Sequence, residues 1–399
     1  MNERNTTRIL AVETSCDETA LSVVAGHGGL EAPQFDVIAE TLFSQVDIHK
    51  EYGGVYPNLA KRAHQENLVP LLKEALQAFR TQSTKSKQNP NPQTINDKRQ
   101  TIAAILEREK DLLKQFENKV THLEKPDIDY IAVTYGPGLE PALWVGINFA
   151  RALSLLWDIP LIPVNHMEGH VASVLLDAEF NASDHFPALT LLVSGGHTEL
   201  DVINSWGEYE HIGTTRDDAI GEAFDKVARI LGLPYPGGPE ISHRAAKHRA
   251  QYPHYKPQWN MPRPMIDSDN FDFSFSGIKT AVLYRTRNIK DLTPDIVSEF
   301  AREFEDAVID VLITKTCAAL NTHNAESLMI AGGVSANSQL RRRVQTRAQE
   351  YGIPLFLPPA SLTTDNATMI AMAAYLVGLR SSDAFTVCPD IHARGNARL

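Results

Sequence analysis

Cysteine is scarce in this chain of 399 residues: Cys16, Cys317 and Cys388 stand far apart and are odd in number. They offer neither a disulfide framework nor a CxxC metal pair, and three free thiols fit a reducing compartment. Long apolar runs are missing too. Nothing approaches the roughly 18 residues that a membrane helix needs, so no membrane partner is expected. The start, MNERNTTRILAVE, passes from a polar stub into a strand-like run with no signal-peptide core and no Arg/Ser-rich presequence, and the expected compartment is the cytoplasm. Positive charge is the third shortage. With 38 Lys and Arg against 49 Asp and Glu the net charge is −11, which excludes unaided whole-surface binding to nucleic acid, because phosphates need clustered cations. One cluster does occur, Arg341, Arg342, Arg343 and Arg347 in LRRRVQTR, either a local patch for such a partner or a solvated helix face. Neither GxGxxG nor GxxxxGK[ST] occurs, so Rossmann and P-loop nucleotide sites are unsupported.

What the chain does have is apolar sequence, 43%, and its length suggests about two lobes. Strand-like runs recur at 8–13, 20–24, 36–43, 129–135, 160–165, 188–194, 199–204, 271–275 and 326–331. Helical patterns fall at about 58–79, 141–157, 166–177, 217–231, 294–322, 337–350 and 365–380. Hairpins followed by alternating helices and strands indicate an α/β protein with mixed sheets. An internal echo sharpens this: ILAVETSCDETALSVV (9–24) and LTLLVSGGHTELDVI (189–203) each run strand, Ser-bearing turn, strand. Such a turn can point several backbone N–H groups at an anion, and two copies suggest two similar lobes facing a cleft, although two hairpins alike by chance would read the same way. Between 81 and 125 the pattern changes. TQSTKSKQNPNPQTIND (81–97) is polar, proline-broken and low in complexity, so no fixed structure is expected there. Then Ile102, Ile105, Leu112, Phe116, Val120 and Leu123 fall at helical spacing, which reads as one long amphipathic helix. The whole stretch reads as a surface insertion.

Chemistry-bearing residues gather in a few motifs. In NHMEGHVAS (165–173), His166 and His170 share a helix face and can point at one ion. Two ligands hold a metal poorly, so a third must come from elsewhere, and the pair alone reads equally as ordinary core or surface histidines. A zinc-protease mechanism is disfavoured by geometry. In HExxH the glutamate directly follows the first histidine, whereas here Met167 does and Glu168 is turned about 200° round the helix. Glycine pairs follow or precede regular elements: Gly195 and Gly196 after Ser194, Gly237 and Gly238 before a helix, and Gly332 and Gly333 with Asn337 at the next helix start. Strand, glycine pair and helix N-terminus make a phosphate platform, although each taken singly is also an ordinary turn. Among carboxylates, Asp17 and Glu18 occupy the first turn. Asp218, Glu222 and Asp225 fall at i, i+4 and i+7 on one expected helix face, and Asp365 lies in LTTDNATMIA.

Taken together, ETSCDET (13–19), YGGVYPNLAKRAH (52–64), YGPGLEPALWVG (135–146), HMEGH (166–170), LLVSGGHTEL (191–200), GEAFDKVARILGLPYPGGP (221–239), FDFSFSGIKTA (271–281), IAGGVSAN (330–337) and TDNATMIA (364–371) resemble one family. It is the tRNA N6-adenosine threonylcarbamoyltransferase family, whose bacterial members are TsaD-like and which once carried the label O-sialoglycoprotein endopeptidase or glycoprotease. The resemblance runs in order from about residue 8 to 380 apart from the insertion. It implies an α/β, actin/Hsp70/sugar-kinase-like two-lobed fold with duplicated mixed β-sheets flanked by helices. The N-terminal lobe would cover 8–184, carry the insertion at about 81–125 and be completed by the C-terminal helix and tail, 366–399; the C-terminal lobe would cover 185–365.

The resemblance also implies a reaction: transfer of the threonylcarbamoyl group from threonylcarbamoyl-AMP to N6 of adenosine 37 in tRNAs reading A-starting codons, with release of AMP. By the family pattern, His166, His170 and Asp365 coordinate one divalent metal, iron with zinc as the alternative. Leu192, Val193, Ser194, Gly195 and Gly196 contact the substrate, Asp225, Gly238 and Asn337 hold its nucleotide portion, and Asp17 and Glu18 face the reaction centre. Expected partners are tRNA and, in a bacterium, a TsaB-like paralogue and a TsaE-like ATPase. Asn165 stands where bacterial relatives often have another histidine. Two further readings accompany this one: a metal-dependent glycoprotein endopeptidase, against which the position of Glu168 stands, and an ATPase-like nucleotide-binding module of the same fold, which needs no two-histidine metal site.

Overall fold

The segment TRILAVE is apolar at successive positions, the pattern of a strand buried on both faces. In the computed structural model, which describes residues 6–82, 92–381 and 384–399, it forms β1 (Thr7–Glu13), the central strand of a five-stranded sheet. Along the chain follow β2 (Glu18–His27), β3 (Gln34–Ser44), α1 (Pro57–Gln82), α2 (Pro92–Ile105), α3 (Lys110–Gln115), β4 (Tyr130–Gly136), α4 (Glu140–Trp157), β5 (Leu161–Asn165) and α5 (His166–Ser173). Next come β6 (Ala188–Val193), β7 (Thr198–Ser205), β8 (Glu208–Thr214), α6 (Ile220–Ile230), α7 (Gly237–Gln251), α8 (Ser276–Arg287) and α9 (Pro294–His323). The chain continues through β9 (Ser327–Ala331), α10 (Ser338–Tyr351) and β10 (Leu355–Phe356) to α11 (Ala367–Arg380).

The chain divides into two units. One comprises Met1–His49, Val55–Asn181 and Thr364–Leu399, the other Lys50–Gly54 and Ala182–Thr363. The first unit's sheet has the order β3-β2-β1-β4-β5, an antiparallel meander of β1, β2 and β3 extended by two strands parallel to β1. The second unit's order, β10-β9-β6-β7-β8, is the same sheet again: β6, β7 and β8 form the meander, and β9 and β10 run parallel to β6. The two echoed hairpins are therefore the opening strands of a duplicated sheet. Period two assigns the faces. Leu10, Val12, Leu21 and Val23 enter a core with Leu68, Leu72, Phe149 and Leu153 from α1 and α4. Alternate residues meet α11, where the Thr368 and Ser22 hydroxyls lie 2.8 Å apart. In the second unit Leu189, Leu191, Val193, Leu200 and Val202 pack with Phe224, Phe300 and Phe304 of α6 and α9. Each such burial stabilises by roughly 1.5–3 kcal/mol.

The strands β8 and β10 and the helix α8 were not expected from the sequence, and three segments depart from what was expected of them. Residues 83–91, within the stretch expected to lack fixed structure, lie outside the described residues, whereas 92–97 already belong to α2. The single long helix expected beyond them is broken: α2 ends at Ile105, and α3 runs into a π-helical turn over Phe116–Val120. The break lets Leu106, Leu112, Phe116 and Val120 all face inward, so this part of the expected surface insertion helps to build the first core. Glu109, buried at the break, accepts from Asn148 Nδ2 at 3.1 Å. Finally, FDFSF (271–275) is not a strand but carries a single bridge, Phe273 with Thr215. Asp217 accepts from the N–H groups of Phe275 (2.8 Å) and Ser276 (3.2 Å) and turns the chain into α8.

Candidate metal centre

β5 ends at Asn165, whose Oδ1 accepts from Met167 N at 2.8 Å and so starts α5. Its Nδ2 donates to the Arg398 carbonyl at 2.8 Å, tying down the C-terminal tail. One helical turn then places His166 and His170 on a common face, their ring centres 4.7 Å apart. Gly169, between them, faces α11. A Cβ there would stand 2.8 Å from Ile370 Cδ1, so the missing side chain is what lets the two helices approach. Asn366 caps α11 by accepting from Met369 N at 2.8 Å. Asp365, just ahead of it, reaches both imidazoles: its Oδ1 lies 3.3 Å from His166 Nε2 and 3.3 Å from His170 Nε2. Glu168 takes another direction and accepts from Arg380.

His170 tests whether these residues suit an ion. It is 0% exposed, yet neither ring nitrogen has a hydrogen-bond partner, and its approach to Asp365 lacks hydrogen-bond geometry. Leaving a buried polar group unsatisfied costs about 1–3 kcal/mol, a cost that a cation at the converging atoms removes. One donor atom from each of the three residues lies within 4.8 Å of the others. Two imidazole nitrogens and a carboxylate oxygen are a donor set for a divalent first-row metal such as iron or zinc, so the residues present fit the ion that the resemblance implies.

Sequence reasoning passed over Glu13. Period two along β1 sends it to the same face as Ile9 and Ala11, where it is fully buried with Oε2 3.2 Å from His166 Nδ1. The Thr134 hydroxyl donates to the same oxygen and Ser15 N to the other, each at 2.5 Å. A carboxylate on Nδ1 fixes the tautomer that leaves the Nε2 lone pair for a metal. Burial alone would raise the Glu13 pKa, but the neighbouring His166 brings it below the usual value. For His166, burial pulls downward and is outweighed by Asp365 and Glu13, which hold it well above the ordinary value. The available signal was a lone glutamate ending an otherwise apolar strand.

Asp17 and Glu18 belong to the same unit but do not join the ligand cluster. Burial raises both carboxyls and the negative Asp365 raises them further. Their loop is clamped from α1 by His64, whose Nδ1 lies 2.8 Å from Thr19 Oγ1 and whose Nε2 lies 3.1 Å from the Cys16 carbonyl. Burial takes that imidazole down to about 4.

In the second unit β6 and β9 run parallel, so the turns that follow them share one end of the sheet. Gly332, at φ +90°, lets the β9 turn pass the Val193 carbonyl, which would stand 2.5 Å from a Cβ. Leu192 and Val193 are buried in β6. Ser194 closes the turn, its N–H donating to the His197 carbonyl (2.9 Å) and its Oγ accepting from His197 N (3.1 Å). Gly195 and Gly196 are exposed with open space around them. Asp225 accepts from Gly237 N at 2.7 Å at the start of α7, leaving Gly238 open beside it. Asn337 is more committed: Oδ1 accepts from Leu340 N (2.8 Å), while Nδ2 donates to Ser242 Oγ (2.8 Å) and Glu305 Oε1 (2.6 Å). Only the second lone pair of Oδ1 remains for a ligand.

The acidic helix face expected at 218, 222 and 225 does not form. Asp218 precedes α6 and pairs with Lys226 (2.7 Å) and Lys279 (2.8 Å), and Glu222 pairs with Lys226 (2.7 Å). The arginine cluster is likewise engaged: Arg341 donates to the Ser335 and Pro358 carbonyls, Arg343 pairs with Asp310 and Arg347 with Glu350. Among the described residues, no helix is long and apolar enough to cross a membrane.

Full-length HypF, solved in a phosphate- and nucleotide-bound form, aligns over 94% of this chain and 56% of its own, with a TM-score of 0.51 at 12% identity. HypF of T. kodakarensis aligns over 94% and 48%, with a TM-score of 0.50 at 12% identity. These likenesses concern the fold alone, and with the duplicated mixed sheet the fold is the actin/Hsp70/sugar-kinase-like one that the sequence resemblance implied. The profile of the family described as "TsaD: tRNA N6-adenosine threonylcarbamoyltransferase" matches residues 36–86 and 107–372. Relatives bearing that enzyme's name are 41% identical in Bacillus cereus, over 98% of this chain and 97% of the relative, and 40% identical in Kosmotoga olearia, over 92% of each. A third, from Staphylococcus carnosus, is 38% identical over 98% and 96%. The chain belongs to the tRNA N6-adenosine threonylcarbamoyltransferase family, and its activity is the transfer of a threonylcarbamoyl group to N6 of adenosine in tRNA.

Proposed function

We propose that the donor is threonylcarbamoyl-AMP, that the acceptor is adenosine 37 of tRNAs reading A-starting codons, and that His166, His170 and Asp365 hold one divalent metal, iron with zinc as the alternative. The observation that carries the metal assignment is His170, wholly buried with both ring nitrogens unpartnered beside Asp365. When bound, the ion supplies Lewis-acid polarisation of the threonylcarbamoyl group. Glu13 holds the Nδ1 proton of His166 and keeps Nε2 aimed at Asp365. The turn from Leu192 to Gly196 contacts the substrate, with the exposed glycines offering backbone N–H groups. Asp225 and Gly238 at the start of α7, together with Asn337, hold the AMP portion, where free helix N–H groups suit a phosphate. Fixing donor and amine in this way removes much of the entropic barrier to their reaction. Asp17 and Glu18 line the loop that faces the reaction centre. The peptidase reading lacks its base, since Glu168 accepts from Arg380.

The working compartment is the cytoplasm, and the partners beside tRNA are a TsaB-like paralogue and a TsaE-like ATPase. The test combines the chain and these partners with threonylcarbamoyl-AMP and unmodified tRNA, followed by digestion and nucleoside analysis. Wild type should form the modified nucleoside, and His166→Ala should lose metal and product together. Normal turnover by a metal-free variant would refute the ion's role.

A further inference from the structure

A second group of metal-capable side chains lies within the second unit. Leu200 and Val202 of β7 enter the core, so Glu199 and Asp201 occupy the opposite face of the sheet. On β6, Thr190 stands directly across from Asp201. On β8 the pairing slips: Leu200 faces Gly213 but Asp201 faces His211, and Ile212 is bulged out of the ladder. A bulge of this kind re-aims side chains, and here it brings an imidazole, in place of an isoleucine, opposite the aspartate. The product is a cross-strand row of Thr190, Asp201 and His211 with Glu199 beside it. One donor atom from each of Glu199, Asp201 and His211 lies within 4.8 Å of the others.

The row is electrostatically unfinished. Asp201 is 1% exposed, and its Oδ1 lies 2.9 Å from His211 Nδ1. Its Oδ2 has no hydrogen-bond partner, and neither has the buried Thr190 hydroxyl. Buried polar atoms are nearly always satisfied, so a bare carboxylate oxygen calls for an explanation such as an ion. The 2.9 Å separation is that of a hydrogen-bonded pair, and it lies close to the ~3.0–3.4 Å that donor atoms on bonds of about 2.1 Å take up round one octahedral or tetrahedral cation.

We propose that Glu199, Asp201 and His211 bind a second divalent cation, of the type that accepts one imidazole nitrogen and two carboxylates. His211 takes the tautomer with its proton on Nε2 and presents Nδ1, while Asp201 and Glu199 contribute oxygens. Because Glu199 lies three residues beyond Gly196, the ion pins β7 to β8 directly behind the Ser194–Gly196 turn.

Zn2+ is the probe. Metal-stripped full-length chain is dialysed against Zn2+ and its metal counted by mass spectrometry. Wild type should hold two equivalents, and Asp201→Asn and His211→Gln one each. In a His166→Ala background one equivalent should persist, raise Tm, and disappear with the added His211→Gln. Asp201→Asn alters a buried residue; if circular dichroism shows it unfolded, the partly exposed His211 decides. Equal Zn2+ content in wild type and His211→Gln overturns the proposal. So does a wild type that holds a single equivalent, lost in His166→Ala. A His166→Ala chain that retains both equivalents counts against the first centre and leaves the second standing.

Discussion

Glu13 spends both carboxylate oxygens on the first turn and on His166, and so decides how one imidazole is presented. Glu13→Gln keeps the shape but removes the charge that holds the His166 tautomer; metal affinity should fall about 10–100-fold, read by competition with a chromogenic chelator. His64 acts on the same loop from the other side. It titrates near 6.5 when exposed and at about 4 in the fold, so between those values the unfolded chain binds more proton. The stability gained by keeping it neutral is complete above pH 6.5 and is lost as pH falls to about 4, a change of about 3 kcal/mol. Urea melts at about pH 7 and about pH 4.5 should show this loss, and His64→Gln should reduce it; an unchanged difference would refute the assignment. At this scale the sequence was readable wherever spacing carried the message, as with His166 and His170. Glu13 went unassigned, because a lone glutamate ending an apolar strand can equally stand at the surface, and its burial against His166 is a tertiary fact.

The approach of α5 to α11 carries the candidate centre, and it rests on Gly169 and Asn366. Gly169→Val would place atoms where Ile370 already lies, overpacking that should cost roughly 1–3 kcal/mol and reduce bound metal, both measurable on one preparation by thermal melting and metal analysis. Asn366→Ala removes the α11 cap, worth about 1 kcal/mol, and frees the segment holding Asp365; full metal retention there would contradict the link. The principal strands and the longest helices were visible because their apolar periods are long. The break between α2 and α3 was not visible, since a turn that keeps Leu106, Leu112 and Phe116 all facing inward leaves the apolar rhythm nearly intact. FDFSF misled for a related reason. Its alternating aromatics mimic a strand, but Asp217, far away in sequence, takes the backbone N–H groups.

For the whole molecule, the echoed hairpins suggested two similar lobes, and the duplicated sheet accounts for the echo, whereas Asp365 was linked to the histidines only by resemblance, because it follows His170 by 195 positions. The charge of −11 and the engaged arginines of α10 make one further expectation. Alone, near physiological salt, the chain should hold tRNA no better than the ~10⁻⁴–10⁻⁶ M range of non-specific binding, tightening when partner subunits are added; nanomolar retention by the chain alone in filter binding would contradict this. The division of the chain also has a consequence in time. The first unit is interrupted after Asn181 and resumes at Thr364, so on the ribosome its two histidines emerge long before their carboxylate. Synthesis proceeds N-terminus first at ~5–20 residues per second, leaving that unit without its closing helix for ~10–40 s. On the proposed ligand set, metal loading is therefore a late event in the protein's maturation, following synthesis of the entire second unit.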